Sequence, residues 1–346
     1  MRPRAAKPGK IRINVLFTCI GRRVSLLESF RRAAKGLRIE AHFLATDTND
    51  FSPAWQCCDT SLLVKPTSHP HYIRELLSIV RKHQVDMVVP TVDLDLQRLA
   101  DSRHHFTRHR CHLLVSPSEV IGVCQDKRQT FRFLKRHGFD TPATMSVRSA
   151  LSRSRAAQAG MFPCYLKPWD GYGSRFNVKV NSRQELLFYA KRIPHAICQE
   201  YVAGTEYTCD VYVDRRLSVR CVVPRRRLEI RAGEVSKAQV VKDSAIIEES
   251  VRLVEALGAG PGVITVQLIK TETGRHHFIE INPRFGGGAP LSIRAGADFP
   301  KWALQELIGK TPRIRLDGYS DGLTMLRYDA EVWVPQGAPA GGACHA

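Results

Sequence analysis

The stretch Phe278-Ile279-Glu280-Ile281-Asn282-Pro283-Arg284-Phe285 decides the fold of this chain. Residues 276–281 are predicted to form a strand, and residues 263–269, which are rich in β-branched side chains, are predicted to form the strand before it. Thr271-Glu272-Thr273-Gly274 lies between them and is typical of a turn. The sequence therefore predicts an antiparallel hairpin that is followed by Asn-Pro-Arg.

Three side chains of this hairpin carry oxygen atoms on one predicted face. If Thr273-Gly274 forms a two-residue loop, Gln267 lies opposite Glu280, and Asn282 returns to the same face two residues later. One carboxylate and two amide oxygens are hard ligands that suit Mg²⁺, with Mn²⁺ as the alternative, held jointly with nucleotide phosphates. A hairpin whose polar side chains merely face water is the competing interpretation.

Other segments that suit a nucleotide precede the hairpin. Lys127 starts a predicted helix, and Lys167 follows the apolar run 162–166. The loop Gly171-Tyr172-Gly173-Ser174-Arg175 could bring backbone N–H groups close to phosphate oxygens. Residues 196–206 are typical of two strands joined by a hinge, which could present backbone groups to the edge of an adenine.

The order of these segments resembles the ATP-grasp superfamily, and within it the carbamoyl-phosphate-synthase-like ATP-grasp ligases. The shared succession is a lysine, a second lysine before a glycine-rich loop, an acidic adenine hinge, and a Gln, Glu and Asn set that ends in Asn-Pro-Arg. The resemblance runs from residue 11 to residue 326. It implies an α/β and α+β chain, in which an N-terminal open parallel-sheet domain (pre-ATP-grasp) precedes a two-part ATP-grasp fold with the nucleotide between two sheets.

The resemblance also implies ATP and Mg²⁺ as cofactors and a role for each matching residue. The hinge differs from many relatives, because Gln199 stands where they carry glutamate. The resemblance implies that Lys127 and Lys167 contact the phosphates and that Gly171, Gly173 and Ser174 belong to a mobile cover. Adenine would be surrounded by Gln199, Glu200, Tyr201 and Val202, and Glu206 would contact the ribose. Mg²⁺ would be bound by Gln267, Glu280 and Asn282, and Arg284 would contact the transferring phosphoryl group or acyl phosphate.

Residues 224–237 form a second candidate region, with four arginines and one lysine. Arg225 and Arg227 would share one strand face and could clamp a carboxylate, an acyl phosphate or the terminal phosphate of ATP. We predict that Arg225 and Lys237 take part in catalysis and that Arg227 contacts a substrate. A solvated charged hairpin is the alternative.

The first 117 residues alternate between strand and helix patterns, which predicts a parallel sheet with helices on its faces. Ligands bind outside the carboxyl ends of the strands in such sheets. Arg22, Asp47, Thr91 and Asp93 are therefore candidate substrate contacts, although helix caps explain several of them equally well. The predicted elements cover residues 11–17, 24–35, 41–46, 71–82, 85–89, 94–106 and 112–115.

These patterns divide the chain into five predicted segments. They are a basic flexible N-terminus (1–10), a Rossmann-like pre-ATP-grasp domain (11–117), linking helices with a small lid subdomain (118–203), a C-terminal ATP-grasp subdomain with the metal site (204–330), and a disordered tail (331–346).

Composition limits the function classes. The chain has a formal net charge of +19, but its basic residues are spread over predicted helices, so a solvated basic surface is favoured over a nucleic-acid partner. The ten cysteines lack CxxC and zinc-type spacings and are interpreted mainly as small apolar residues. No apolar stretch approaches membrane-spanning length, and residues 1–10 lack the apolar core of a signal peptide, so we expect a cytoplasmic protein without a membrane partner.

We predict a carboxylate–amine ligase that depends on ATP and Mg²⁺, forms an acyl phosphate and releases ADP and phosphate. This chemistry follows from the resemblance. Its substrates would be a small-molecule carboxylate and an amine, and a homodimer stays an open alternative. The rival hypotheses are a carbamoyl-phosphate-type enzyme that phosphorylates bicarbonate or a carboxylate, and a nucleotide-binding or nucleic-acid-binding protein without turnover.

Overall fold

Three β-sheets organise the chain in the computed structural model, which describes residues 5–6, 10–153, 157, 160–171, 176–231 and 233–336. Most of the predicted basic N-terminus and residues 337–346 of the predicted tail lie outside these ranges. Among the described helices, none combines the length and the apolar character that a membrane span requires.

A sheet of parallel strands forms the N-terminal region, as the alternating pattern predicts. Its elements are β1 (Ala5–Ala6), β2 (Lys10–Thr18), α1 (Val24–Leu37), β3 (Glu40–Asp47), α2 (Pro53–Gln56), β4 (Thr60–Leu63), α3 (Tyr72–Lys82), β5 (Met87–Pro90), α4 (Leu96–Asp101), α5 (Arg103–Arg108) and β6 (His112–Leu113). The strand order is β4-β3-β2-β5-β6, and β1 pairs antiparallel with the start of β2. The predicted single helix over 94–106 is wrong, because Ser102 separates two short helices.

A small antiparallel sheet follows in the order β7-β10-β8-β9. The elements of this part are α6 (Ser118–Gln125), α7 (Lys127–Arg136), β7 (Thr144–Ser146), α8 (Val147–Leu151), β8 (Cys164–Pro168), β9 (Val178–Val180), α9 (Arg183–Ala190) and β10 (Ala196–Glu200). Asp126 caps α7, since its side chain accepts the backbone N–H of Arg128. This cap fixes the position at which Lys127 enters the helix.

The third sheet is large, antiparallel and six-stranded, and we call it the large sheet. Its order is β15-β14-β11-β12-β13-β16. The elements are β11 (Thr205–Val213), β12 (Val219–Arg231), β13 (Glu234–Val240), α10 (Ser244–Leu257), β14 (Gly262–Lys270), β15 (His276–Asn282), α11 (Ala289–Arg294), α12 (Phe299–Leu307) and β16 (Thr324–Leu326).

The two faces of the large sheet belong to different cores, because side chains alternate across a strand. Val211 and Val266 point to a core that α10 completes. Tyr212 and Val263 point to the other face, where a larger core also contains residues of the N-terminal region. Seven free cysteines are buried in these cores and elsewhere, as their interpretation as small, reduced apolar residues predicts: Cys58, Cys111, Cys124, Cys164, Cys198, Cys209 and Cys221. Cys57 is disulfide-bonded, so this interpretation is wrong for that residue.

Phe30 connects the N-terminal region to this larger core. It is fully buried, and its ring centroid lies 5.1 Å from that of Phe17 and 5.9 Å from that of Phe285. Phe30→Ala should lower the free energy of unfolding by about 3–5 kcal/mol, because it leaves a cavity between the two regions. Phe51→Ala, at a position that is 90% exposed, should change it by less than about 0.5 kcal/mol. Equal effects of the two substitutions in urea-induced unfolding would contradict a shared core.

Candidate nucleotide and substrate site

The hairpin of β14 and β15 places Gln267 opposite Glu280. The predicted pairing is therefore confirmed, but the predicted two-residue loop is wrong. Residues 271–275 connect the strands, and the N–H of Thr271 donates to the carbonyl of Arg275 (2.9 Å). Because the turn is wider, the strand pairing next to it differs by one residue from the predicted register, and Lys270 pairs with His276. A β-bulge between Gln267 and Leu268 corrects the register, so that Gln267 pairs with Glu280 as predicted.

The three predicted metal ligands lie on one face of the large sheet. Asn282 is two residues beyond Glu280 and therefore points to the same side. The side-chain oxygen of Asn282 accepts a hydrogen bond from Arg284 (3.5 Å), and that of Gln267 accepts one from Arg227 (3.3 Å). Within the described ranges, the carboxylate of Glu280 has no hydrogen-bond or ion-pair partner.

This donor set fits a hard divalent cation. It offers one carboxylate and two amide oxygens, and Glu280 is half-buried. In the part of the chain that the structure describes, no group of three or more His, Cys, Asp or Glu side chains is placed to hold a metal ion. A cation here would therefore need further oxygen ligands, which nucleotide phosphates supply. The assignment of Mg²⁺ to these residues stays a prediction.

Lys167 of β8 faces the same set from the small sheet. The residue is 8% exposed. Burial lowers the pKa of its ammonium group to about 8; Glu280 and Glu206 partly offset this effect, and Lys127 adds to it. Lys167 belongs to the small sheet and the two carboxylates belong to the large sheet, so this electrostatic influence acts between the two sheets.

Lys127 ties the start of α7 to the start of the glycine-rich loop. Its ammonium group donates to the carbonyl of Gly171 (2.5 Å), and its backbone N–H donates to the carbonyl of Trp169 (2.9 Å). Gly173 and Ser174, which we predict to cover the phosphates, lie outside the described residues. The phosphate contacts of Lys127 and Gly171 stay predictions.

Tyr201 and Val202 lie in the connection from β10 to β11, at the predicted adenine hinge. The side-chain amide of the buried Gln199 donates to the hydroxyl of Thr144 (2.9 Å). The carboxylate of Glu200 accepts a backbone N–H just before β7 (2.9 Å). Both side chains are thus engaged within the small sheet. The contacts of the hinge with adenine stay predictions.

Glu206, the predicted ribose contact, forms an ion pair with Arg227 on the neighbouring strand (2.5 Å). Burial raises the pKa of Glu206; Arg227 opposes the increase and Glu280 adds to it. The Arg227 side chain is only 8% exposed and also reaches Gln267. Arg227 therefore lies in the cleft between the predicted ribose and metal contacts.

Arg225 forms a buried ion pair with Asp210. Its Nε and Nη2 donate to the two carboxylate oxygens, at 2.8 and 3.0 Å, and the Arg225 side chain is 1% exposed. The hydroxyl of Ser292 also donates to Asp210 (2.6 Å). This network fixes the guanidinium, so Arg225 is a rigid group at the floor of the site.

Asp93 and Arg22 differ in their placement. Asp93 forms an ion pair with Arg284 (2.5 Å), which brings the N-terminal region to the Asn-Pro-Arg segment. The Arg22 side chain is 77% exposed and lies 3.8 Å from the carboxylate of Glu234. Of these two substrate candidates, only Asp93 lines the pocket beside the metal set.

Asp47, Thr91 and Lys237 make contacts that hold the fold. Asp47 accepts hydrogen bonds from the N–H of Gly21 and the hydroxyl of Ser52, and so stabilises turns after strands. Thr91 is buried and donates to a backbone carbonyl at the end of β2. Lys237 pairs with Glu229 (2.6 Å) on the exposed end of its hairpin. Among the described residues, none of these three lines the pocket beside the metal set.

A pocket of about 260 Å³ lies between the N-terminal region and the large sheet. Arg23 and Glu234 line this pocket although the sequence did not predict them, and their ion pair (3.3 Å) joins the two regions. The sequence offers a signal only for the glycine run 286–288, which follows the Asn-Pro-Arg segment after Phe285 and also lines the pocket. The lining residues are Arg23, Val92, Asp93, Leu94, Thr208, Arg225, Arg227, Gly233, Glu234, Val235, Thr265, Gln267, Glu280, Asn282, Arg284, Gly286, Gly287 and Gly288.

The glycine run lets the chain cross the face of the large sheet at close range. A Cβ atom on residues 286, 287 and 288 would lie 2.9 Å from Thr265, 2.9 Å from Arg23 and 2.1 Å from Arg225, respectively. These distances are shorter than side chains tolerate. Glycine therefore lets the loop run from Arg284 to α11 without displacing the side chains of Thr265, Arg23 and Arg225.

Comparisons with known proteins agree with this architecture. Residues 124–288 match the ATP-grasp domain family, and residues 15–114 match the family described as PylC-like, N-terminal domain. The carbamoyl phosphate synthase large chain of Thermoplasma acidophilum is 23% identical over 296 residues, which cover 80% of this chain and 28% of that protein. The D-alanine–D-alanine ligase of Bacillus anthracis is 24% identical over 161 residues, or 42% of this chain and 52% of that protein.

Solved structures share the fold. The biotin carboxylase domain of Hydrogenobacter thermophilus 2-oxoglutarate carboxylase, in complex with magnesium ADP, ADP and bicarbonate, gives a TM-score of 0.71 at 17% identity and covers 90% of this chain and 73% of that one. The L-amino acid ligase of Bacillus licheniformis gives 0.66 at 18% identity, with 86% and 74% covered. These likenesses show an N-terminal parallel sheet followed by the two antiparallel sheets of an ATP-grasp fold.

The buried pair of Asp210 and Arg225 supports the floor of the site. Asp210→Ala should lower the free energy of unfolding by about 3–5 kcal/mol, because it leaves a buried guanidinium without a charge partner. Glu40→Ala removes an exposed ion pair with Arg12 and should cost less than about 1 kcal/mol. Chemical denaturation measures both. Adding Arg225→Met to Asp210→Ala should recover part of the loss, and no recovery would contradict the assignment of an unpaired charge as its cause.

Proposed function

We propose that this chain, which belongs to the ATP-grasp superfamily, is an ATP- and Mg²⁺-dependent carboxylate–amine ligase. In the proposed reaction, a substrate carboxylate attacks the terminal phosphate of ATP, the bond from that phosphate to ADP breaks, and an acyl phosphate forms. A neutral amine then attacks the acyl carbon, the bond from that carbon to the phosphate oxygen breaks, and phosphate leaves. The amine loses a proton as the amide forms.

One observation supports this proposal: the predicted metal ligands also line a substrate-sized pocket. Glu280 lines the pocket together with Gln267 and Asn282, and its charge also acts on the ammonium group of Lys167 in the small sheet. Arg284 stands at this junction, between Asn282 and Asp93. A carboxylate in the pocket would therefore approach the terminal phosphate of a nucleotide in the cleft.

The residues would contribute mainly electrostatic stabilisation and positioning. Lys127 and Lys167 would neutralise phosphate charge, and Arg284 would donate to the oxygens of the transferring phosphoryl group. Glu280, Gln267 and Asn282 would hold Mg²⁺, which supplies charge neutralisation on the phosphates when bound. Enclosure by two sheets would protect the acyl phosphate from water.

The extent of the pocket favours a ligase over an enzyme that activates bicarbonate. The pocket continues from Glu280 past Thr208 to Arg23 and Arg225 and encloses about 260 Å³. Bicarbonate would occupy only the end next to Arg284. The remaining volume has polar and charged walls, which suit a second substrate.

The proposed half-reaction can be measured without knowing the amine. ATP labelled with ¹⁸O in the β,γ-bridge should exchange its label in the presence of a panel of carboxylates, and hydroxylamine should trap the acyl phosphate as a hydroxamate. Glu280→Gln should lower the rate by about two orders of magnitude or more, because the only carboxylate of the metal set is lost. Glu272→Gln makes the same change in the exposed turn and serves as the control. A wild-type rate in the Glu280→Gln variant would contradict the assignment of Glu280 as a ligand of Mg²⁺.

Lys167 gives the proposed nucleotide site a pH dependence. Its ammonium form predominates below its pKa of about 8, and bound phosphate would raise that pKa further, so ATP affinity should fall as the pH rises above about 8. Lys167→Ala should weaken ATP binding by about 10–100-fold near pH 7 and remove this decline. Lys135→Ala, on the exposed side of α7, should keep the wild-type profile. Calorimetric titrations from pH 7 to pH 9.5 that show the same decline in Lys167→Ala would contradict the assignment.

A further inference from the structure

A second pocket lies at the edge of the N-terminal sheet, and we call it the edge pocket. It encloses about 150 Å³ and shares no lining residue with the pocket beside the metal set. One wall contains the first residues of two parallel strands, Met87 of β5 and His112 of β6. The opposite wall belongs to the large-sheet region and includes Arg215, Pro261 and Glu306.

Three arginines line the edge pocket: Arg103, Arg110 and Arg215. In the described part of the chain, none of the three forms an ion pair with a carboxylate. Arg103 donates to backbone carbonyls that follow β6, and Arg215 donates to the carbonyl of Glu306 (3.3 Å) and to the ring of His112 (3.1 Å). The arginines that line the pocket beside the metal set, by contrast, each pair with a carboxylate.

The lining residues leave the edge pocket with a net positive charge. Glu306 is the only carboxylate among the described lining residues, and it accepts a hydrogen bond from the hydroxyl of Tyr212 (3.1 Å). Burial lowers the pKa of His112 to about 4, and Arg215 adds to this decrease, so the imidazole is neutral at pH 7. Three cations therefore face one anion, and an oxyanion would supply the missing acceptor.

The rest of the wall is mainly apolar. It is formed by Met87, Leu113, Leu114, Pro261 and Leu307. The volume equals that of roughly five water molecules at about 30 Å³ each, which is enough for one small ring. An inorganic anion would leave this apolar surface in contact with water, whereas a ligand with a hydrocarbon body would bury it.

The edge pocket is far from the predicted nucleotide contacts. β11 starts beside Glu206, the predicted ribose contact, and ends at Val213, just before the turn that carries Arg215. A strand rises about 3.3 Å per residue, so the two ends of β11 lie roughly 26 Å apart. A molecule held at Arg215 therefore occupies a site of its own.

We propose that the edge pocket binds a small organic oxyanion, either a carboxylate or a phosphate monoester, whose apolar body is about the size of one ring. Its oxygens accept hydrogen bonds from Arg110 and Arg215, and its body packs on Met87 and Leu114. The two walls belong to the N-terminal region and to the large-sheet region, so the bound anion links these regions and stabilises the folded chain. This binding does not depend on the proposed ligase activity.

Four probes with matched structures test the ligand class by titration calorimetry at constant ionic strength. Benzoate and phenyl phosphate carry both a ring and an oxyanion, benzyl alcohol carries only the ring, and inorganic phosphate only the anion. At least one of the two ring oxyanions should bind with a dissociation constant of about 10 mM or lower, an affinity within reach of ligands of this size. It should bind at least about tenfold more tightly than its counterpart that lacks the charge or the ring. The tighter of the two identifies the head group.

Arg110→Gly locates the binding. The backbone at Arg110 is left-handed (φ +59°) two residues after α5, and glycine adopts this conformation without strain, so the fold should not be weakened. The affinity for the ring oxyanion should fall at least about tenfold, because a charged donor is lost. Arg38→Gly is the matched control: it makes the same change at an exposed left-handed residue after α1 (φ +57°) and should keep the wild-type affinity. Both variants should bind ATP as the wild type does.

The outcomes decide the proposal independently of any turnover. It is overturned if neither ring oxyanion binds, if the uncharged or ringless counterpart binds equally well, or if Arg110→Gly keeps the wild-type affinity. Equal losses in Arg110→Gly and Arg38→Gly would also overturn it, since they would show a general effect of net charge. Thermal unfolding establishes that the variants are folded. Arg215→Gln, which should weaken binding to a similar extent, carries the test if Arg110→Gly is not folded.

Discussion

The register of the large sheet is the constraint on which the site depends. Four neighbouring strands bring Glu280, Gln267, Thr208 and Arg225 into one row, and the next row holds Asn282, Thr265 and Asp210 on the same face. A slip of one residue in any of these pairings would turn that strand's polar residues into the core beneath α10. The apolar opposite face therefore fixes the register, and the register fixes the distances within the site.

The acids of the site hold its arginines in place. Asp210 orients Arg225, Glu206 orients Arg227, and Asp93 engages Arg284. Buried ion pairs of this kind contribute little to stability compared with apolar packing, because each charge loses its hydration. Their physical benefit is preorganisation: the donors are already aimed into the cavity, so little side-chain rearrangement opposes binding or phosphoryl transfer.

Local patterns predicted the parts of the site that lie close in sequence. The pairing of Gln267 with Glu280 follows from strand alternation, although the bulge that produces it depends on the wider turn and was not visible. Arg23 and Glu234 were missed because they meet only when the N-terminal region packs on the large sheet. Asp47 and Thr91 stay predicted substrate contacts; the structure shows them in hydrogen bonds to a turn and to the end of a strand, which polar residues at strand ends make as readily as ligand contacts. The short edge strand β4 was missed because four residues carry little periodic signal.

The glycine run joins the two ends of the proposed substrate pocket. Arg284 engages the metal set, and four residues later Gly288 lies against Arg225, so one short backbone segment spans both positions. The three glycines have no side chains that could rotate to enlarge or shorten the pocket, and a methyl group at each would meet a neighbouring side chain. The separation between Arg284 and the part of the pocket beside Arg225 is thus set by the backbone. A substitution at any of these glycines adds a side chain and therefore makes the pocket smaller. No single substitution in this run should allow the protein to accept a longer substrate.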